Sequence, residues 1–229
     1  MYHLLLGDRS YSSWSLRGWL LFEKFGISRK EQYSTMYTEQ FHADVSAFFP
    51  ARTVPALRLE SGLVISDSLA IAEELASRHP EAGHWPKDPD HRAIARHLAA
   101  EMHASFGALR DHCPMNLRTA YTDCTPPQGV LDDLTRLETL WSWARAKTQS
   151  ATPWLCGEYC VADVFYAPIA ARIVGYGLLS YLQDPSYVES HMADSDFQRW
   201  RALGLTEGIH QAAYDLPYPQ IDFPVPTHL

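Results

Sequence analysis

The chain has 229 residues, 46% of them hydrophobic, and a formal net charge of −8. That is apolar material enough for two small domains, while the acidic balance repels a phosphate backbone and argues against a nucleic-acid partner. No apolar run reaches the ~18 residues of a membrane span, and no basic-then-apolar leader opens the sequence, so a cytoplasmic protein without a membrane partner is expected.

Residues 2–6, Tyr-His-Leu-Leu-Leu, form a short apolar run that predicts a buried strand ending at Gly7. From Ser15 the positions Leu16, Trp19, Leu20 and Phe22 follow the helical period, with Gly26 placed as a C-terminal cap. A second strand is expected at Gln32 to Met36. Pro55 to Leu59 and Leu63 to Ile65 alternate on either side of Glu60-Ser61-Gly62, the pattern of a hairpin. Ser66-Asp67-Ser68 then precedes Leu69, Ile71, Ala72, Leu75 and Ala76, an N-cap followed by an apolar helix face, with Glu73 and Glu74 in the early turns. Residues 1–80 therefore read βαβ followed by ββα.

His79 to Pro89 is rich in helix and strand breakers and reads as a linker. Helical spacing at 90–112, 128–148, 161–176 and 195–205 makes residues 90–215 an all-α second domain. The Pro-rich end, 216–229, predicts an extended tail. Cys113, Cys124, Cys156 and Cys160 all fall in the second half without a Cys-x-x-Cys pair. They read as buried structural thiols, and neither a metal site nor a dithiol centre is expected.

Three short segments hold residues able to do chemistry. Tyr11-Ser12-Ser13-Trp14-Ser15-Leu16-Arg17 lies between strand and helix, where unpaired N–H groups and a partial positive charge stabilise a ligand anion and a hydroxyl can donate to a thiolate. The same serines also serve as helix caps. Val54-Pro55 stands at the start of the third strand; a cis bond there turns the Val54 backbone N–H and C=O outward, toward a peptide ligand. Asp67-Ser68 either caps the next helix or holds the ammonium and carboxylate of a ligand.

In this order and spacing the three segments resemble cytosolic glutathione transferases over nearly the whole chain. The first half is similar to the zeta class: Ser12-Ser13-Trp14-Ser15-Leu16-Arg17 lies on its Ser-Ser-Cys-Ser-x-Arg pattern, and Gln40-Phe41, Pro50, Val54-Pro55 and Ser68-Leu69-Ala70-Ile71 follow without gaps. The second half resembles a bacterial branch of the family through Ala100-Glu101-Met102-His103, Leu109-Arg110, Pro114-Met115-Asn116 and Ala162-Asp163 ahead of Tyr166-Ala167-Pro168. The resemblance implies an α/β thioredoxin-like N-terminal domain with an all-α C-terminal helical domain, and a homodimer. It implies glutathione as co-substrate and a small electrophile as the second substrate.

By the same resemblance Ser12 is the catalytic residue, hydrogen-bonded to the glutathione sulfur, with Tyr11 as an alternative donor. Ser13, Gln40, Val54, Pro55, Asp67 and Ser68 form the glutathione site, Val54 pairing its backbone with the cysteinyl group and Asp67 and Ser68 holding the γ-glutamyl end. Trp14, Met102, His103, Phe106 and Arg110 are the candidates for the electrophile pocket, with Arg172 more distant. Asp163 is implied as a folding residue of a buried helix cap.

Three positions depart from the family pattern: Trp14 replaces the zeta cysteine, Thr53 the Lys before Val-Pro, and Cys160 the hydroxyl of the helix cap. Transferase chemistry on an electrophilic carbon or a peroxide oxygen is the leading expectation. A glutathione-dependent isomerase of the maleylacetoacetate type and a non-catalytic binding protein of the same fold are the alternatives.

Overall fold

A computed structural model describes residues 1–225. Its first domain is built on β1 (Tyr2–Leu6), α1 (Ser13–Glu23), β2 (Arg29–Tyr33), α2 (Glu39–Ala47), β3 (Ala56–Arg58), β4 (Val64–Ser66) and α3 (Ser68–Arg78). The four strands form one sheet in the order β2-β1-β3-β4. β1 and β2 run parallel, from Tyr2 opposite Arg29 to Leu6 opposite Tyr33, while β3 is antiparallel to both β1 and β4.

Strand alternation sorts the core into two faces. Leu4 and Leu6 of β1 join α1 and α3 in a large apolar cluster, whereas Leu5 points the other way, onto Val45, Phe48 and Ala51 of α2 and the turn after it. β2 lies three residues earlier than the Gln32 to Met36 expected. Its sequence, Arg-Lys-Glu-Gln-Tyr, is polar because it forms the sheet's edge, so it has no apolar alternation to read. Helix α2 lacks a sequence signal for a similar reason, since Val45 is its one buried residue; Thr38 starts it by accepting the Phe41 N–H at 3.1 Å.

The second domain contains α4 (Pro89–Ala104), α5 (Gly107–His112), β5 (Thr119–Tyr121), α6 (Gln128–Thr148), α7 (Val161–Gly175), α8 (Ser186–Ala193), α9 (Ser195–Glu207) and β6 (Gln220–Asp222). The helix expected over 90–112 is two helices, because Phe106 adopts the left-handed conformation (φ 62°) between them. The small β5–β6 ribbon interrupts the helical pattern, and it draws in part of the segment read as a tail: Phe223 and Val225 are buried beside it. The last four positions of that segment, 226–229, lie outside the described residues.

Helix α7 is buried on every side, as its apolar circumference requires. It packs against α4 and α8 of its own domain and against α1 of the first, so one apolar cluster runs through both domains. Asp163 accepts the Cys160 N–H at 2.9 Å and the Tyr187 hydroxyl at 2.8 Å, satisfying the buried start of α7 despite the missing hydroxyl at Cys160. Burial holds the Asp163 carboxyl above its ordinary range.

Candidate active site

The loop from Gly7 to Ser12 aims the start of α1 at the junction of the two domains. The N–H groups of Tyr11 and Ser12 both donate to the Asp8 carbonyl, at 3.2 and 2.8 Å, and the Asp8 carboxylate accepts the Met36 N–H at 2.8 Å. Ser12 caps α1 by accepting the Ser15 N–H at 3.2 Å. One turn on, Gly18 allows the helix to press on Pro55: a Cβ there would lie 2.6 Å from the proline Cβ. The Val54–Pro55 bond is cis, and among the described residues neither the Val54 N–H nor its carbonyl has a backbone partner.

These elements enclose a cavity of about 360 Å³. Tyr11, Ser12, Ser13 and Trp14 come from the α1 start, Met36, Tyr37 and Phe41 from the approach to α2 and its first turn, and Thr53 and Val54 from the loop before β3. The second domain contributes Arg110, Pro114, Met115, Arg172 and Tyr214. Among the described residues no carboxylate lines it.

The charge of the cavity wall is therefore positive. Arg172 is buried; it donates to the carbonyls of Cys113 and Arg110 and, at 3.2 Å, to the Ser13 hydroxyl. Burial, with Arg110 close by, pulls its pKa down to about 10. Arg17, directly behind Trp14, is 2% exposed and its Nε and Nη1 have no hydrogen-bond partner among the described residues. Burial and the neighbouring Arg110 and Arg172 bring it down to about 9. Its guanidinium lies 4.6 Å from the Trp14 ring and 4.8 Å from that of Phe165, and Arg110 lies 5.1 Å from the same indole. Trp14 is thus held by two guanidinium groups.

Of the residues singled out in the sequence, Ser12, Ser13, Trp14, Val54, Arg110 and Arg172 meet around this cavity. Asp67 connects to it at one remove: its carboxylate pairs with His103 Nε2 at 3.2 Å, and the His103 ring stands edge-on to Trp14 at 5.3 Å. His103 accordingly faces Asp67 and Trp14 and does not line the cavity. Ser68 is fully buried, and its hydroxyl has no partner among the described residues. Gln40 is exposed and donates to Asp44 at 2.9 Å. Met102 and Phe106 are core, not pocket: Ala95, Leu98, Ala99 and Met102 make the buried stripe of α4, and Phe106 is 3% exposed.

Sequence reasoning missed Tyr37 and Tyr214. The Tyr11 and Tyr214 rings are 4.6 Å apart and the Tyr37 and Tyr214 hydroxyls 3.2 Å apart, a contact between positions so distant in sequence that no local pattern announces it.

Residues 11–78 match the family model described as glutathione S-transferase, N-terminal domain. A probable maleylacetoacetate isomerase of Caenorhabditis elegans is 30% identical over 167 residues, 70% of this chain and 73% of that protein. The chain belongs to the glutathione S-transferase family. A second relative, maleylacetoacetate isomerase of Dictyostelium discoideum, is 28% identical over 167 residues, 68% of each chain.

Solved structures of transferases share the fold. A glutathione transferase homologue from Burkholderia, with bound glutathione, superposes with a TM-score of 0.64 at 20% identity, covering 89% of this chain and 97% of that one. The diazinon-metabolizing glutathione S-transferase of the silkworm Bombyx mori gives 0.66 at 18% identity over 92% and 100% of the two chains. At these identities the likeness is one of fold.

Proposed function

We propose that this member of the glutathione S-transferase family binds glutathione across the α1 and α3 starts and transfers its thiolate to a small electrophile in the cavity. The observation that supports it most is the Ser12 hydroxyl at the start of α1, on the wall of a cavity that Arg110 and Arg172 make cationic. The unpaired Val54 backbone and the orphaned Ser68 hydroxyl are the kind of groups a peptide and its carboxylate satisfy. In this reading Asp67 takes the γ-glutamyl ammonium, Ser13 lies beside Ser12 under the thiol, Pro55 fixes the edge that Val54 presents, and Gln40 reaches toward the glycine end. The chain is read as a cytoplasmic homodimer from a bacterial branch of the zeta-like transferases.

A free thiol of pKa near ~8.5 is only a few per cent thiolate at neutral pH. Lowering that value by about two units takes roughly 2.7 kcal/mol, within reach of one hydroxyl bond to sulfur and the field of a helix terminus. The thiol proton leaves to solvent. The sulfur then forms a bond to the electrophilic carbon as the leaving group departs with its electron pair. With a peroxide it bonds to one oxygen as the O–O bond breaks; the other oxygen leaves with the electron pair and takes a proton from solvent, and a second glutathione reduces the resulting sulfenic acid to the disulfide and water.

A second reading is favoured by the two arginines. A cationic wall with no carboxylate among the described residues suits an anionic substrate, as a glutathione-dependent isomerase acting on a dicarboxylate requires, and the relatives' names point the same way. Calorimetry with glutathione followed by turnover of chlorodinitrobenzene and of maleylacetoacetate tests both. Turnover of the first substrate supports the transferase and turnover of the second the isomerase; no glutathione binding contradicts both.

A further inference from the structure

Ser15 is the second hydroxyl at the start of α1. It is 0% exposed. Its Oγ accepts the Gly7 N–H at 2.8 Å and the Ser12 hydroxyl at 2.8 Å, and its own N–H donates back to Ser12 Oγ at 3.2 Å. In this arrangement the Ser12 hydrogen points into the protein, at Ser15, and the Ser15 hydrogen has no acceptor among the described residues other than Ser12 Oγ. A buried donor left without an acceptor costs the desolvation of that group.

One rotation of each hydroxyl about its Cβ–Oγ bond removes both features, since hydroxyl hydrogens turn to suit their neighbours. An anion at the α1 start selects that rotated state. Ser15 then donates to Ser12, and Ser12 donates to the anion. Gly7 N–H, Ser15 and Ser12 become a chain of donors directed at the cavity, each polarising the next in a site shielded from water.

We propose that Ser15 is a positioning residue for the glutathione thiolate: the Ser12–Ser15 hydrogen bond reverses when the thiolate binds, and Ser15 strengthens the bond from Ser12 to sulfur. The proposal rests on the reading of Ser12 as the sulfur's donor. It involves no covalent step, since each hydroxyl keeps its own proton and the thiol proton goes to solvent.

The test is the pH titration of the ultraviolet absorbance of bound glutathione thiolate in wild type, Ser12→Ala, Ser15→Ala and the double variant. Calorimetry with S-methylglutathione, which has no thiol to ionise, reports on each protein whether the site is intact. Ser15→Ala is expected to raise the bound thiol's pKa by about one unit, roughly threefold less thiolate at neutral pH, without changing the affinity for S-methylglutathione. Because Ser15 acts only through Ser12, the double variant titrates with Ser12→Ala and no higher. If Ser15→Ala does not fold, Ser15→Cys, with its weaker donor, gives a smaller shift of the same sign.

Wild-type titration of Ser15→Ala (or of Ser15→Cys in its place), or a double variant whose shift is the sum of the two singles, overturns the relay and leaves the role of Ser12 standing. Wild-type titration of Ser12→Ala overturns both.

Discussion

Asp67 and His103 are paired across the seam between the two domains, Oδ2 to Nε2 at 3.2 Å, while the other Asp67 oxygen accepts the Leu69 N–H at 2.8 Å and starts α3. The carboxylate offered to the glutathione ammonium already has a partner. With side chains 47% and 24% exposed, the pair is worth about 0.2–1 kcal/mol. His103→Leu is therefore expected to tighten glutathione binding by roughly 1.4- to fivefold, since 1.4 kcal/mol is tenfold. Calorimetry measures it, and an affinity equal to wild type would mean that the ammonium binds elsewhere.

The backbone at Asp67 separates folding from binding. Its φ of 79° lies in the region that favours glycine, a strain of about 1–3 kcal/mol. Replacing the cap by alanine keeps the strain and loses about 1 kcal/mol of capping, whereas glycine gives up only a few tenths and relieves the strain. Chemical denaturation should find Asp67→Ala less stable than wild type and Asp67→Gly no less stable. Both should bind glutathione at least about tenfold more weakly, as loss of a charge-assisted contact implies. A fully binding Asp67→Gly would remove Asp67 from the site.

Legibility in the sequence followed burial. β1, α3, α6 and α7 are where the apolar pattern puts them, because each buries a face or its whole circumference, and the serine and aspartate caps of α1 and α3 announce themselves. β2 and α2 hold polar surface and left no such pattern. At the site, Ser12, Val54 and Asp67 stand at helix starts and a strand entry that local chain geometry sets, which is why the sequence singles them out, while their assignment to glutathione comes from the family resemblance. Whether Met102 or Arg172 faces the cavity depends on how α4 and α7 rotate against α1, which only packing decides, and Tyr214 reaches Tyr11 from the far end of the chain.

Two buried histidines make the fold sensitive to acid. His84 Nε2 donates to the Leu21 carbonyl at 3.0 Å, and burial pulls its pKa from 6.5 down to about 4. His191, against Tyr187 and Trp154, is pulled by burial to about 3. Both are neutral in the folded chain and protonate at 6.5 once unfolded, so their stability is whole above that pH and lost as pH falls toward the folded values. From about pH 7 to about pH 5 each costs roughly 2 kcal/mol. Urea midpoints at those two pH values should show His191→Phe losing about half as much from this source as wild type; equal losses would contradict the buried neutral state.

The central claim is that Ser12 holds glutathione as a thiolate. We would titrate the ultraviolet absorbance of the bound thiol against pH in wild type and Ser12→Ala. The account predicts a wild-type pKa about two units below the free thiol, and a return toward the free value, near ~8.5, in the variant. Bound glutathione that titrates alike in both proteins would contradict it.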